Sequence, residues 1–124
     1  MKRALFFVLL LSAASNTIAD NWKLIMKDSF TKFYINTSNI QRKGDNVIYW
    51  ERMDMSSSSS NARWHSIVSY SKYESDCYNQ RVRKLTNLVY VDNDSAKKVP
   101  VDSSWIDIVP DTGREEILNM VCKK

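Results

Sequence analysis

Apolar and polar side chains alternate along most of this chain, and this two-residue period constrains the fold more than any other feature. In the stretch 46–55, Val47 and Tyr49 fall on one face, whereas Trp50 and Arg52 fall on the other. Successive side chains of a β-strand point to opposite sides of a sheet, so the alternation predicts strands with one buried face. Comparable stretches predict about five or six strands in all, at 22–26, 30–36, 46–55, 63–80, 81–92 and, weakly, 105–109.

The alternation changes to a helical period at the C-terminal end. Thr112 and Glu115 have the spacing of a capping box at a helix N-terminus. After them, apolar residues recur on one helical face and include Ile117, Leu118, Val121 and Cys122. The sequence therefore predicts a single α+β domain, a twisted antiparallel sheet with one C-terminal helix packed on one face.

The first 19 residues have the layout of a cleavable secretory signal: Lys2 and Arg3, an apolar run at 4–14, and small Ala19. The apolar run is too short to span a bilayer, so no stable membrane span is expected after cleavage. The domain would then comprise residues 20–124. No cysteine stands at this cut for lipid attachment. The expected location is the periplasm or the medium, with display at the cell surface as the alternative.

Export bears on the two cysteines, Cys77 and Cys122. An oxidising compartment pairs two cysteines of a small domain far more often than it leaves them free. A bridge would close a 45-residue loop and stabilise the fold by roughly 4 kcal/mol in the chain-entropy model. It would also tie the helix to the sheet. In the alternative, Cys77 is a reactive thiol with His65 as its general base, which requires both cysteines to be free.

Composition argues against several classes of function. Without Lys2 and Arg3, 16 basic side chains stand against 14 acidic ones, so a nucleic-acid partner, which needs a concentrated basic face, is not expected. The chain has only two glycines, Gly44 and Gly113, and cannot form a glycine-rich phosphate loop. The single histidine has no second ligand at metal-binding spacing. We therefore expect no cofactor, no metal and no enzymatic activity.

A protein-binding surface is the remaining candidate for a site. Tyrosine and arginine are frequent in the few residues that carry most of a protein interface's binding energy. Both types cluster after the middle of the chain, at Tyr70, Tyr73, Tyr78, Arg81 and Arg83. The alternative is that these are ordinary strand side chains on a solvated face. The serine run 56–60 is expected to form a long hairpin loop.

The order of short motifs resembles the surface-adhesin protein E family. The motifs, spread over the whole domain, are FYIN at 33–36, VIYW at 47–50, ESDC at 74–77, RVRKL at 81–85, WIDIVP at 105–110 and a terminal VC at 121–122. The resemblance implies a small exported domain whose C-terminal helix is joined to a twisted antiparallel sheet by a disulfide. For the named adhesin, it also implies binding to host extracellular-matrix and serum glycoproteins.

Three functions follow as hypotheses. The first is an exported, non-enzymatic binding module, an adhesin that contacts host matrix or serum proteins. The second is a periplasmic structural or accessory protein that binds another envelope component. The third, a small exported hydrolase or redox enzyme, requires free cysteines.

Overall fold

The computed structural model describes residues 21–123, so the expected signal sequence and its cleavage site lie outside the described residues. Within this range the chain forms one antiparallel sheet and one helix. The elements are β1 (Trp22–Lys27), β2 (Thr31–Asn36), β3 (Gln41–Lys43), β4 (Asn46–Ser56), β5 (Ser66–Asp76), β6 (Arg81–Val91), β7 (Lys97–Lys98), β8 (Ile106–Asp107) and α1 (Gly113–Val121).

The sheet has the strand order β1-β2-β4-β5-β6-β7. β3 joins the same edge of β4 as β2, but pairs with the beginning of β4, whereas β2 pairs with its second half. In the same way, β7 and β8 share one edge of β6 and pair with its two ends. The three eleven-residue strands β4, β5 and β6 therefore form the centre, and short segments complete both edges.

The expectation of five or six strands is wrong, because the described sheet has eight. The sequence pattern missed β3 and β7, which have three and two residues, all exposed. Strands this short and polar show no alternation to detect. β5 also begins at Ser66, later than expected, so Trp64 and His65 belong to the preceding loop.

The core lies between α1 and one face of the sheet. Ile35, Val47 and Tyr49 pack with Ile117 and Val121 of the helix, and all five are at most 1% exposed. A second cluster contains Val82, Ile108 and Leu118. The helical face expected from the sequence is confirmed, since Ile117, Leu118 and Val121 are the buried residues of α1.

The helix begins where expected, but the expected capping box is not formed. Thr112 is the N-cap residue and makes no side-chain capping hydrogen bond. Its hydroxyl donates instead to the carbonyl of Val109 at 2.7 Å. Glu115 and Glu116 lie in the first turn, where their charge suits the positive end of the helix dipole.

The disulfide is confirmed. Cys77 and Cys122 are joined, with their Cα atoms 5.8 Å apart. Cys77 directly follows β5 and Cys122 is the C-cap residue of α1, so the bridge fastens the end of the helix to the end of a central strand. Neither sulfur is a thiol, so the hypothesis of a Cys77 nucleophile is wrong.

Candidate binding face

The sheet has one face that packs against α1 and one that points away from it. Tyr49 on β4 joins the core under the helix. Trp50 and Arg52 have the opposite parity on the same strand and therefore point away from the helix. We call the surface that points away from α1 the open face. Around the middle of the sheet its side chains are half-buried, and they include Trp22, Tyr34, Trp50, Arg52, Tyr70, Lys72, Leu88 and Tyr90.

One line of residues crosses the open face from β1 to β7. Each member is the register partner of the next, so the side chains stand side by side on one surface. We call this line the aromatic–arginine row: Leu24, Tyr34, Arg52, Tyr70, Leu88 and Lys98. It places a guanidinium between two phenol rings at the centre of the sheet.

Arg52 is held from two directions. Its Nε and Nη2 donate to the two carboxylate oxygens of Asp54 at 2.7 and 2.9 Å. Its Cζ lies 5.4 Å from the ring centre of Tyr34 and 5.9 Å from that of Tyr70. The hydrogen bond to Asp54 raises the pKa of Arg52. A two-point carboxylate contact fixes the guanidinium plane, so Arg52 is ordered before any partner binds.

Tyr70 is also held by its aromatic neighbours. Its ring meets those of Trp22 and Tyr90 edge to face, with a centre-to-centre distance of 5.7 Å in each case. Such pairs contribute roughly 0.5 to 1.5 kcal/mol beyond their area burial. Rings fixed in this way lose little conformational entropy when a partner packs on them.

Charge on the open face is unbalanced towards positive. Asp54, Glu74 and Asp76 are each paired with an arginine. Lysines on the same face that form no salt bridge with any residue between 21 and 123 include Lys32, Lys72 and Lys98. The Lys72 ammonium lies 5.9 Å from the ring centre of Trp50. The face therefore favours a partner with acidic groups.

The five residues expected to form a binding surface do not all lie together. Tyr70 and Tyr73 are three positions apart on one strand and so point to opposite faces. Tyr73 lies on the helix side and stacks on Tyr49 with ring centres 6.0 Å apart. Tyr78 lies in the turn after β5 and is 82% exposed. The five residues are therefore distributed over both faces of the sheet and one turn.

Arg81 and Arg83 lie on the open face, but at its far end. Arg83 binds Glu74 at 2.6 Å and Arg81 binds Asp76 at 3.1 Å. Both guanidinium groups also lie 4.6 Å from the ring centre of Trp105. These contacts hold the segment around β8 against the sheet, which gives both arginines a structural role.

Sequence reasoning missed Tyr34, Arg52 and Tyr90 as members of the site. The alternation did place Trp50 and Arg52 on one side of β4. What it lacked was the register between strands, because Arg52 meets Tyr34 and Tyr70, each 18 positions away along the chain. Register depends on the lengths of the turns and on bulges, such as the one between Lys72 and Tyr73 in the β5–β6 pairing.

The helix side contains a contrasting ion pair. Arg114 donates to Oε1 of Glu51, a residue that is only 2% exposed. Burial raises the pKa of Glu51, and the charge of Arg114 opposes that shift. The Tyr49 hydroxyl lies 3.4 Å from the same carboxylate oxygen, and burial raises the pKa of Tyr49 as well. This group lies between helix and sheet, where it joins the two layers.

Two further observations concern residues 21–123 alone. They contain no group of three or more His, Cys, Asp or Glu side chains that could hold a metal ion. They also contain no helix of the length and apolarity needed to cross a membrane.

Comparison with known proteins identifies one family. The family model described as surface-adhesin protein E matches residues 22–123, nearly the whole described domain. No curated protein and no solved structure gave a significant match. Because the family model spans far more than half of the chain, this protein belongs to the surface-adhesin protein E family.

Proposed function

We propose that this protein is an exported, non-enzymatic binding module that contacts a protein partner through its open face. Membership in an adhesin family implies an exported or surface protein that binds some partner. The aromatic–arginine row is the observation that supports the location of the site. Tyrosine and arginine are among the residues that most often dominate binding energy at interfaces.

The chemistry of the face supports a partner with both acidic and apolar groups. A protein with exposed carboxylates would pair with Lys32, Lys72 and Lys98, and its apolar groups would pack on the rings of Tyr34 and Tyr70. In line with the family, the partner is a host extracellular-matrix or serum glycoprotein that presents an acidic surface. A periplasmic accessory protein that binds another envelope component is the alternative that the experiments below separate.

The site can be tested by binding of the disulfide-bonded protein to surfaces coated with purified matrix or serum glycoproteins. The double variant Tyr34→Ser/Tyr70→Ser removes both rings beside Arg52. Loss of two central contacts should weaken binding by about tenfold or more. Tyr78→Ser is the matched control, because Tyr78 is a tyrosine that lies outside the open face. It should leave binding unchanged. Chemical denaturation verifies that both variants remain folded.

Two results would contradict the proposal. If Tyr78→Ser weakens binding and the double variant does not, the turn after β5 is the site and the open face is not. If the protein is released only by osmotic shock and binds none of these glycoproteins, the accessory function replaces adhesion. Protection from external protease in whole cells would support that second conclusion.

A further inference from the structure

A groove of about 640 Å³ lies on the helix side of the sheet, between β6, the segment 100–109 and the start of α1. This volume is typical of sites for small molecules and too small for a folded partner. Residues that line it include Tyr73, Val82, Lys84, Asn87, Ile106 and Arg114. Apart from Arg83, the β6 residues that line it point to the helix side of the sheet, so its role is independent of the function proposed above.

One part of the groove is apolar and incompletely covered. Val82 and Ile108 line it and are buried in the protein. Ile106 and Val109 also line it, but they are 64% and 63% exposed. Covering such side chains removes apolar surface from water, which stabilises the complex by about 25 cal/mol per Å² of buried surface. An apolar ligand chain is therefore stabilised here.

Another part of the groove is cationic. The Lys84 ammonium and the Arg114 guanidinium lie 5.5 and 4.7 Å from the ring centre of Tyr73. Arg114 is already paired with buried Glu51. Lys84 forms no salt bridge with any residue of the described chain. The charge of Lys84 acts on Glu51, but the ammonium forms no direct ion pair there and can still bind an anionic ligand group.

Asn87 adds a second donor beside Lys84. Its Oδ1 accepts hydrogen bonds from the hydroxyls of Ser69 and Ser71 at 2.9 and 3.2 Å. Those bonds set the orientation of the amide. Its NH₂ group makes no hydrogen bond to another residue in the range 21–123 and remains able to donate to a ligand oxygen.

The acidic residues of the groove belong to a different wall. Asp102 and Asp107 are on the segment 100–109, whereas Lys84 and Asn87 are on β6. Asp102 accepts hydrogen bonds from the backbone N–H and hydroxyl of Ser104, and Asp107 is the register partner of Arg81. The Asp102 carboxylate therefore has contacts within its own segment, and Asp107 stands on a different wall from Lys84 and Asn87.

From these features we infer that the groove binds an alkyl carboxylate of the fatty-acid type. The carboxylate accepts hydrogen bonds from Lys84 and the Asn87 amide, and the alkyl chain packs against Ile106 and Val109. A ligand with a cationic head is disfavoured, because it would stand beside Lys84 and Arg114. A ligand without an apolar chain would leave the side chains of Ile106 and Val109 exposed to water.

Calorimetric titration of the disulfide-bonded protein with dodecanoate, below its micelle concentration, tests this inference. We expect saturable binding of one molecule, and binding of dodecyltrimethylammonium that is weaker by about tenfold or more. Lys84→Gln should weaken dodecanoate binding by about tenfold, as expected for loss of one charged hydrogen bond. Ile106→Ser should also weaken it. Lys43→Gln is the control, because it removes an exposed lysine of β3 that does not line the groove.

The inference is overturned if dodecanoate does not bind saturably, or if the two head groups bind equally well. It is also overturned if a peptide with an apolar C-terminal residue binds and dodecanoate does not, because the site would then recognise protein termini. Should Lys84→Gln prove unfolded by denaturation, the comparison of the two head groups on the unaltered protein still decides the outcome.

Discussion

Each face of the sheet contains an arginine–carboxylate pair, and the two pairs differ in how far they are exposed to water. On the helix side, Arg114 meets Glu51, whose side chain is 3% exposed. On the open face, Arg52 meets Asp54, and both side chains are about 30% exposed. A charge that cannot reach water depends on its partner, whereas a half-exposed pair is solvated in any case. An arginine–carboxylate pair therefore joins helix and sheet on one side and forms part of the candidate binding surface on the other.

Removal of the disulfide should have the largest effect, because the unfolded chain then regains the freedom that the bridge takes from it. Cys77→Ala/Cys122→Ala opens a 45-residue loop in the unfolded chain, which lowers the free energy of unfolding by roughly 4 kcal/mol. Urea denaturation of the double variant measures this loss. A loss below about 1 kcal/mol would show that core packing alone holds the helix in place.

Truncation of the buried helical face should have a comparable or slightly smaller effect. Leu118 is 4% exposed and packs with Val82 and Ile108, so Leu118→Ala should cost between about 2 and 5 kcal/mol. Glu116→Ala, on the exposed side of α1, should change stability by no more than about 0.5 kcal/mol. Equal unfolding midpoints for the two variants would mean that α1 does not close the core.

The two arginines provide the direct test of the comparison between the faces. Arg114→Met leaves the Glu51 carboxylate buried without its partner and should cost about 3 kcal/mol. Arg52→Met should cost less than about 1 kcal/mol, because Asp54 remains hydrated, but it should weaken partner binding. Denaturation of both variants at neutral pH measures the difference. Similar losses of stability in the two variants would contradict the division into a structural helix side and a binding open face.

Acid should also distinguish Asp76 on the open face from Glu51 on the helix side. Hydrogen bonds from the Asn79 side chain and backbone, and from Arg81, lower the pKa of Asp76. A lowered pKa means that the unfolded chain binds the proton more readily. The stabilisation from Asp76 is therefore complete above the ordinary aspartate pKa of about 4, and is lost as the pH falls below it. Burial raises the pKa of Glu51, so its contribution has the opposite sign.

Denaturation at pH 7 and near pH 3 tests the assignment to Asp76. Wild-type protein should lose more stability between these two values than Asp76→Asn does, because the variant has no carboxylate to protonate at that position. An identical loss in both proteins would assign the acid sensitivity to other carboxylates.

The sequence predicted those parts of the fold that produce a repeated local pattern. The long strands show alternation, and Ile117, Leu118 and Val121 show the helical period, so both were found. The pairing of Cys77 with Cys122 followed from their number and from the expected export. β3 and β7 were missed because two or three exposed polar residues form no pattern.

The candidate site was harder to predict, because it depends on which strands meet and in what register. Tyr70 was named from the sequence as a candidate binding residue, but its neighbours Tyr34 and Arg52 come from two other strands. Tyr73 was grouped with Tyr70 by closeness in sequence. Their odd spacing places them on opposite faces, and this could have been recognised from the alternation alone.

The smallest expected effect lies in the serine loop, which belongs to neither face. Ser56 ends β4 and pairs with Ser66, so residues 57–65 connect β4 to β5, and 58–60 are exposed. Deletion of 58–60 keeps the hydrogen bond from the Ser57 N–H to the His65 carbonyl. Loop-closure entropy varies slowly with length, so the free energy of unfolding should change by only a few tenths of a kcal/mol. A loss well beyond about 1 kcal/mol in urea denaturation would show that the loop contacts the sheet, and the open face would then extend over it.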